Sequence, residues 1–440
     1  MFILKLDASG DFLFAKQLSA NSSKILIDST GNILIACDVQ GLPVDFDPGP
    51  SVFNITPKEN SDVVVCKLTA TGDFIWAKQI GGSSYDGSSV LEIDKDNNVF
   101  IGGYFYGTCD FDPGPATYNL TSAGESDIFV TKLDASGNFV WARSMGDYYR
   151  ESIFDLKFDF SGNIVLTGRT EGGGDFDPGA DVAYLNGKGG SDCILIKLSG
   201  QGNLVWAKLI GSSFDEDGNS LSIDQAGNIT LAGAFTGALD LDPGVGIAMT
   251  SLSGIFDIFI ARYNASGEFI TSRQIGGKYW DACKGLFTDP SGNLYMTGTF
   301  QGEVDFDPGP RVYSMTGPVS ASSAPADIFI CKFGKNNQIT GTTYFDANHD
   351  GSRQPSEFIL PNIPVNASRD GFIYQVRSDT NGLFLIEADT GTYSITVPAI
   401  AYYPVVVPST HTASFGSLFG SYDTANHFAL QPAGNIKDLR

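Results

Sequence analysis

The chain has 440 residues, of which 42% are hydrophobic and 12% aromatic, and it carries a formal net charge of −23 at pH 7. This composition supplies enough apolar surface for a packed core and excludes a disordered chain. The excess of acidic groups argues against nucleic acid or an anionic membrane surface as a partner, and it favours divalent cations. No apolar run approaches the length of a bilayer-spanning segment, so we expect no transmembrane segment.

A repeat of 65 residues organises the chain from its start to about residue 334. Its clearest marker is an Asp-Phe-Asp-Pro-Gly loop, with Leu in place of Phe in the fourth copy. The first aspartates are Asp45, Asp110, Asp175, Asp240 and Asp305, and the second are Asp47, Asp112, Asp177, Asp242 and Asp307. A fixed period of this length indicates an array of one structural unit.

Each unit consists of two predicted hairpins of short strands. One is typified by LEIDKDNNVFIGGYF at 91–105, and the other by SDIFVTKLDASGNFVWARSMGD at 126–147. Runs rich in Val, Ile, Phe and Thr flank a turn similar to Asp-x-x-Gly-Asn in both. Four strands per unit without any helical period predict an all-β fold, a β-propeller of about five four-stranded blades. From the innermost strand outward, we expect the order 90–94, 99–105, 127–133 and 139–145.

The two ends of the array leave the blade count open. Residues 1–20 supply only an outer hairpin, and the last unit stops after one outer strand, at 327–333. We favour closure by the N-terminal hairpin, which would complete the last blade. The alternative is a ring that is incomplete at its N-terminus because upstream repeats are missing.

The paired aspartates of the Asp-Phe-Asp-Pro-Gly loops have two physical interpretations. In an extended segment both carboxylates point to one face, and the Phe or Leu between them points to the other, before a Pro-Gly turn. One role is structural, either as a turn or in ion pairs with the Lys or Arg that recurs on the outer strands, such as Lys67 and Lys132. The other role is calcium binding. Because acid and base recur together, we favour the structural role.

A further acidic position recurs just before the predicted innermost strand, at Asp86, Glu151, Glu216 and Asp281. Innermost strands line the channel of a propeller, so these acids and the aromatic residues beside them form a candidate ligand mouth for a sugar or a cation. The simpler interpretation, which we favour, places them at the solvated end of a loop.

The repeat resembles the β-propeller repeats of secreted bacterial proteins over about residues 1–334. The likeness rests on the Asp-x-x-Gly-Asn strand pair, the following Gly-x-Thr or Gly-x-Phe, and the Lys-Leu-Asp-x-x-Gly hairpin. All of these are turn and strand motifs. The resemblance therefore implies the fold and an extracellular or cell-surface location, but it names no ligand.

A different module is predicted at 335–431, where the period has ended. The stretches ITGTTYFDANHDGSRQPSEFILPNIPV at 339–365 and DTNGLFLIEADTGTYSITV at 379–397 resemble the Cna-B or SdrD-B-like B modules of bacterial surface adhesins, over about 338–431. The likeness implies a β-sandwich that acts as a spacer or stalk. Residues 432–440 then form a linker to a missing downstream region, so the chain is expected to be part of a longer multidomain protein.

The strongest local motif lies in this module, in DANHDGSRQPSE at 346–357. It fits the calcium-loop pattern Asp-x-[Asp/Asn]-x-[Asp/Asn]-Gly-x₅-Glu. The predicted oxygen ligands are Asp346, Asn348, Asp350, the backbone carbonyl of Ser352, and Glu357. No long helix flanks the loop, so we expect a structural Ca²⁺ rather than a sensor site. The alternative is an Asx-rich turn without an ion.

The sequence offers little support for catalysis. The three histidines, His349, His411 and His427, all lie in the C-terminal module, which excludes a histidine-based triad or a histidine-ligated zinc from the propeller. We therefore expect a non-enzymatic secreted or cell-surface protein for binding, adhesion or scaffolding, with an unidentified protein or glycan ligand. The alternative is a propeller that binds or hydrolyses carbohydrate at the acidic and aromatic mouth.

Overall fold

The computed structural model describes residues 1–290, 292–307, 312–319, 326–334, 337–369, 372–388, 391–398, 400, 403–415 and 422–432. All regular elements in these ranges are β-strands. Within them, no helix is present that is long and apolar enough to cross a membrane.

The chain begins with a separate hairpin, here called the N-terminal hairpin, made of β1 (Phe2–Leu6) and β2 (Phe12–Gln17). Blade 1 follows, with β3 (Asn21–Ile27), β4 (Ile33–Gln40), β5 (Val44–Asp45), β6 (Asn54–Ile55), β7 (Ser61–Leu68) and β8 (Phe74–Gly82). Blade 2 has β9 (Asp86–Ile93), β10 (Val99–Asp110), β11 (Asn119–Leu133) and β12 (Phe139–Met145). Blade 3 has β13 (Glu151–Phe158), β14 (Ile164–Asp175), β15 (Tyr184–Leu198) and β16 (Leu204–Ile210).

Blade 4 has β17 (Glu216–Ile223), β18 (Ile229–Phe235), β19 (Asp257–Tyr263) and β20 (Phe269–Gly277). Blade 5 has β21 (Ala282–Thr288), β22 (Leu294–Phe300), the short strands β23 (Glu303–Asp305) and β24 (Ser314–Thr316), and β25 (Asp327–Phe333). The main strands of blades 1 to 4 form four-stranded antiparallel meanders, β5 and β6 of blade 1 form a separate two-stranded sheet, and blade 5 has three main strands. In blade 2 the predicted order is confirmed, since β9 pairs with β10, β10 with β11, and β11 with β12.

The predicted Asp-x-x-Gly-Asn turns close the hairpins through the side chain of their aspartate. In the first turn of blade 1, Asp28 Oδ1 accepts the backbone N–H groups of Thr30 and Asn32, each at 2.9 Å. Gly31 has φ 86°, a conformation that a residue without Cβ adopts at low cost. The recurrence of Asp, Gly and Asn therefore reflects one turn geometry, repeated along the array.

A basic residue on the third strand of each of blades 1 to 4 pairs with the aspartate of that turn. The distances are 2.9 Å for Lys67–Asp28, 3.1 Å for Lys132–Asp94, 2.8 Å for Lys197–Asp159 and 2.5 Å for Arg262–Asp224. Burial raises the pKa of Asp28, but the hydrogen bonds from Lys67, Thr30 and Asn32 outweigh it and hold that pKa well below its usual range. The recurrent cations therefore stabilise the hairpins of their own blade.

The hydrophobic core lies between blades rather than inside one of them. One cluster joins Val63 and Val65 of blade 1 to Phe105, Phe111 and Phe129 of blade 2. Similar clusters lie between blades 2 and 3, 3 and 4, and 4 and 5. Each blade therefore presents one apolar face to its predecessor and another to its successor, which is the packing that a propeller requires.

The structure corrects the closure that the sequence favoured. The N-terminal hairpin forms a two-stranded sheet of its own, and Ile3 and Leu18 pack against blade 1. In blade 5, β25 pairs with β22 along its length, from Leu294↔Phe333 to Phe300↔Asp327. Among the described strands β25 pairs only with β22, and β1 only with β2, so the hairpin does not complete the last blade.

The C-terminal module is a two-layer β-sandwich over β26 (Asn337–Phe345), β27 (Pro364–Arg369), β28 (Phe372–Arg377), β29 (Leu383–Ala388), β30 (Gly391–Thr396), β31 (Val405–Val407), β32 (His411–Phe415), β33 (Tyr422–Asp423) and β34 (Phe428–Gln431). One sheet has the order β29-β26-β34-β31 with β33 beside β26, and the other has the order β28-β27-β30-β32. A core that includes Val365, Tyr393, Ile395 and Phe428 lies between them. Of the linker predicted at 432–440, residues 433–440 lie outside the described residues.

Candidate functional site

A cavity of about 620 Å³ lies where the inner strands of blades 3, 4 and 5 meet. The inner strands contribute Phe154, Asp217, Asn219 and Lys284, and the outer wall includes Thr299 and Gln301. Its volume falls in the range of 300–1,000 Å³ that is usual for small-molecule sites. The cavity is therefore a candidate ligand site of the propeller-like array.

The cavity has an aromatic wall formed by Phe256 and Trp280. Their rings stack with centroids 4.4 Å apart and planes 24° apart. Trp280 is 47% exposed, so part of the indole face is open to a ligand. Aromatic faces bind the apolar faces of small molecules, while nearby polar groups orient them.

Charged groups of both signs lie on the remaining wall. Arg169 approaches Asp217 at 3.6 Å and lies 5.8 Å from the centroid of the Phe154 ring. Burial raises the pKa of the Asp217 carboxyl, and the nearby Arg169 partly opposes this effect. Lys284 lines the cavity as a cation, whereas Arg169 contacts the lining residues Asp217 and Phe154. Such a surface offers hydrogen-bond donors and acceptors to a polar ligand with one apolar face.

The four recurrent acids of the predicted ligand mouth do not form an exposed ring. All four are only 0–1% exposed: Asp86, Glu151, Glu216 and Asp281. Both interpretations from the sequence, an exposed ligand mouth and a solvated loop end, are therefore wrong for these side chains. Each accepts the backbone N–H of the residue four positions earlier, as Asp86 Oδ2 does from Gly82 at 2.8 Å and Asp281 Oδ2 from Gly277 at 2.7 Å. Asp281 alone among them borders the cavity.

These acids have buried acidic partners that the sequence reasoning missed, namely Asp62, Asp127, Asp192 and Asp257, which are 0–4% exposed. In the pair of Asp127 and Glu151, Gly146 lies close to both acids, since a Cβ on it would be 2.6 Å from Glu151 Oε2 and 2.9 Å from Asp127 Oδ1. Burial, together with the charge of Asp127, raises the pKa of Glu151 to about 8. Burial likewise raises the pKa values of Asp86, Asp127 and Asp281 to about 6. The pairs lie between neighbouring blades, and their burial indicates a structural role.

In the Asp-Phe-Asp-Pro-Gly loops, the paired carboxylates accept backbone N–H groups of their own loop. In blade 1, Asp45 Oδ1 accepts the N–H groups of Asp47 and Phe53 at 3.0 and 2.8 Å, and Asp47 Oδ1 accepts that of Gly49 at 2.7 Å. The same bonds recur in the loops of blades 2, 3 and 4. The residue between the aspartates is buried in every copy. The ion pairs predicted here form elsewhere, because the recurrent cations contact the Asp-x-x-Gly-Asn turns.

These loops also join neighbouring blades. Asp110 pairs with Gly81 at the end of β8, and Asp305 with Gly276 at the end of β20. An isolated bridge links Asp175 to Gly146 in the same way. The loop of one blade is therefore tied by backbone hydrogen bonds to the outer strand of the blade before it.

The predicted calcium loop is folded around its own carboxylates. Asp346 is fully buried, and it accepts the N–H groups of Asp350 and Gly351 at 3.2 and 3.0 Å. Glu357 accepts that of Ala347 at 3.0 Å. Gly351, at the sixth position of the motif, has φ 74°. Within the described residues, no three acidic, histidine or cysteine side chains converge in a metal-binding group.

The donors of this loop thus suit a hard cation chemically, whereas the carboxylates are directed to backbone amides. Asn348 Oδ1 accepts the N–H of Asp350, and Asp350 Oδ1 accepts that of Ser352, at 3.1 and 2.8 Å. Hydrogen bonds from Gln431 and Gly351 outweigh the effect of burial and lower the pKa of Asp346. The loop therefore keeps a buried anionic carboxylate that no basic side chain of the described residues contacts in an ion pair.

Sequence signals existed for some of the missed residues. Asp62, Asp127 and Asp192 recur at the period of the array, within the SD motif that opens the third strand. The cavity residues Phe154, Asn219 and Lys284 occupy one repeat position with three unlike side chains. The difference between blades at this one inner-strand position was thus the feature of the sequence that could have indicated the cavity. The acids that recur in every blade belong instead to the structural repeat.

No family model matches the chain. An uncharacterized WD repeat-containing protein of Acanthamoeba polyphaga mimivirus is 21% identical over 368 residues, which cover 69% of this chain and 26% of that protein. The regulatory protein FlaEY of Caulobacter vibrioides is 29% identical over 286 residues, covering 61% of this chain and 29% of that protein. The chain thus spans less than a third of the length of these curated relatives.

A solved structure of a Bacteroides caccae protein of unknown function covers 66% of this chain and 75% of its own, with a TM-score of 0.32 and 11% identity. That likeness is weak, and the class of the protein rests on its repeat, its strand order and the WD-repeat relative. The chain is a repeat, all-β, β-propeller-like protein.

Proposed function

We propose that the chain is a non-enzymatic binding protein of the cell surface or extracellular space. Its propeller-like array binds a ligand, and the C-terminal sandwich acts as a B-type spacer of the kind found in adhesins. A glycan is the ligand class that we favour, because the cavity combines an open indole face with acidic, basic and amide side chains. The observation that carries this proposal is the cavity beside Trp280.

Burial of the recurrent acids favours binding over hydrolysis. A glycosidase needs two carboxyl groups that both reach the scissile bond, but Glu151 and Glu216 are fully buried and satisfied by neighbouring backbone and hydroxyl groups. Asp217 is the one partly exposed carboxylate at the cavity wall. A binding site is therefore the better match to these side chains.

Trp280→Ala is expected to reduce glycan binding at least tenfold, because it removes the open stacking face of the cavity. The measurement is a glycan array followed by titration calorimetry with the best glycan. Tyr85→Ala is the matched control, since Tyr85 occupies the same repeat position in another blade and is 53% exposed but does not border the cavity. Equal affinity of both variants would contradict the site, and glycan turnover by the parent would contradict a purely binding role.

The proposal includes a structural Ca²⁺ in the loop 346–357. The support is the set of oxygen donors at Asp346, Asn348, Asp350, Ser352 and Glu357 in register with a glycine of positive φ. Carboxylate and carbonyl oxygens are the ligands that Ca²⁺ prefers, and an ion would compensate the buried charge of Asp346. Binding would require the carboxylates to turn from the backbone amides toward the ion.

Millimolar Ca²⁺ is expected to raise the melting temperature of the sandwich by several degrees, because an ion that binds only the folded state stabilises it. Scanning calorimetry of the full chain with Ca²⁺ or with chelator measures this shift. Asp350→Ala should abolish it, because alanine offers no oxygen ligand at this position, whereas Asp379→Ala, which removes the same charge from another turn of the sandwich, should not. Identical melting with and without Ca²⁺ would end the proposal.

A further inference from the structure

Blade 5 ends the array with an apolar face that no other part of the described chain covers. Ile328 and Ile330 on β25 are 78% and 75% exposed. In blades 1 to 4, the same two positions of the third strand are buried, with exposures of 0–7%. These buried equivalents are Val63 and Val65, Ile128 and Val130, Cys193 and Leu195, and Ile258 and Ile260. We call the exposed pair on β25 the tail face.

The N-terminal hairpin carries a second apolar face that the described chain leaves uncovered. Phe2, Leu4 and Leu6 on β1 are 77%, 51% and 47% exposed. The same three positions in blades 1 to 4 are 0–1% exposed. They are occupied by Val64, Cys66 and Leu68, by Phe129, Thr131 and Leu133, by Ile194, Ile196 and Leu198, and by Phe259, Ala261 and Tyr263. We call the exposed set on β1 the head face.

The two faces are the two sides of one recurring joint. Between blades 1 and 2, the tail positions Val63 and Val65 pack with the head positions Phe129 and Leu133. Between blades 3 and 4, the tail positions Cys193 and Leu195 pack with the head positions Phe259 and Tyr263. The tail face of blade 5 and the head face of the hairpin therefore consist of the same repeat positions that pack against each other in the interfaces between blades.

A polar contact of the joint recurs as well. A lysine of one unit donates to a backbone carbonyl in the next, as Lys5 does to Ala70 O at 2.7 Å, Lys67 to Ala135 O at 3.3 Å and Lys197 to Ala265 O at 3.1 Å. Lys332 holds this position on β25 and is exposed. The equivalent acceptor is the carbonyl of Ala8 in the N-terminal hairpin.

We propose that the tail face is a docking site for the head face of a second copy of this chain. Within one chain, the hairpin packs through its opposite side on blade 1, and it forms no strand pairing with the described strands of blade 5. A joint between copies would continue the interior interface of the array. Because the contact is head-to-tail, it joins copies into an open chain or a ring rather than an isologous dimer.

Sedimentation velocity of the full chain over a hundredfold range of concentration tests the proposal. The mass of the parent is expected to rise with concentration. Ile330→Lys on the tail face and Leu4→Lys on the head face should each give a monomer. An equimolar mixture of the two variants should give a dimer and nothing larger, because only one intact head and one intact tail remain. Val140→Lys, at an exposed outer-strand position, should assemble like the parent.

Three outcomes overturn the proposal. One is a parent that stays monomeric at every concentration, and another is association that Ile330→Lys and Leu4→Lys leave unchanged. The third is a monomeric parent that Ile330→Lys expands in small-angle scattering, which would show that the chain's own hairpin covers the tail face. Circular dichroism checks that the variants are folded, and their exposed positions allow the charge to remain in water.

Discussion

Lys67→Met is expected to lower the free energy of unfolding by about 3–5 kcal/mol, the usual cost of breaking a buried ion pair on one side. The side chains of Lys67 and Asp28 are 7% and 2% exposed, and their charged atoms are 2.9 Å apart. Without the ammonium group, Asp28 keeps its charge in a buried turn. The substitution also removes the contact of Lys67 with Ala135 O in blade 2, so it weakens a joint as well as a hairpin.

Urea unfolding followed by tryptophan fluorescence measures this loss. Lys16→Met is the matched control, because Lys16 and Asp73 are 4.0 Å apart and Asp73 is 67% exposed, and exposed pairs contribute about 0–1 kcal/mol. Asp28→Asn added to Lys67→Met should recover part of the loss, since no unpaired charge is then buried. Equal losses of unfolding free energy in Lys67→Met and Lys16→Met would show that the buried pair contributes no more to stability than the exposed one.

The fold was predictable from the sequence because the same local signals recur at a fixed period. Each Asp-x-x-Gly-Asn turn is satisfied by its own aspartate, so its geometry depends on neighbouring residues alone. Alternation of apolar residues then places Val63 and Val65 toward one neighbouring blade, and Val64 and Cys66 toward the other. The order of strands within a blade follows from these hairpins.

The partners of charged groups were less predictable, because they depend on distances across strands. Lys67 recurs with both Asp45 and Asp28, and the sequence alone did not decide which aspartate it meets. Burial was also hidden, since Glu151 lies next to a loop yet is covered by the neighbouring blade. The closure at the chain ends was not predictable from the repeat either, because the pattern does not decide between packing of the hairpin on blade 1, which the structure has, and pairing with blade 5.

The cavity illustrates the same limit for the site. Phe154, Asn219 and Lys284 share one repeat position, and only the curvature of the array brings the three together around one space. Trp280 was expected near the mouth from its position before an inner strand, but its stacking on Phe256 required the structure. Repetition therefore predicted the fold well, and departures from repetition contained the information about ligand binding.

Raising the pH from 5 to 9 is expected to destabilise the propeller, in contrast to the usual behaviour of proteins whose carboxylates have lowered pKa values. Burial raises the pKa of Glu151 to about 8 and those of Asp86, Asp127 and Asp281 to about 6. The folded state thus binds protons that the unfolded state releases near pH 4. Their stabilising contribution is complete below that pH, and it is lost as the pH rises through 6 and then 8.

For Glu151 alone the linkage corresponds to a loss on the order of 3–5 kcal/mol across this range. Urea unfolding at intervals between pH 5 and 9 measures it, and Glu151→Gln should flatten the profile above pH 6, because the amide stays neutral while filling the same space. Glu125→Gln is the control, since Glu125 lies at the same joint but is half exposed in a pair with Arg150. A stability that rises steadily from pH 5 to 9 in the parent would mean that these carboxyl groups are charged in the folded protein, with a cation or a hydrogen-bond donor compensating each pair.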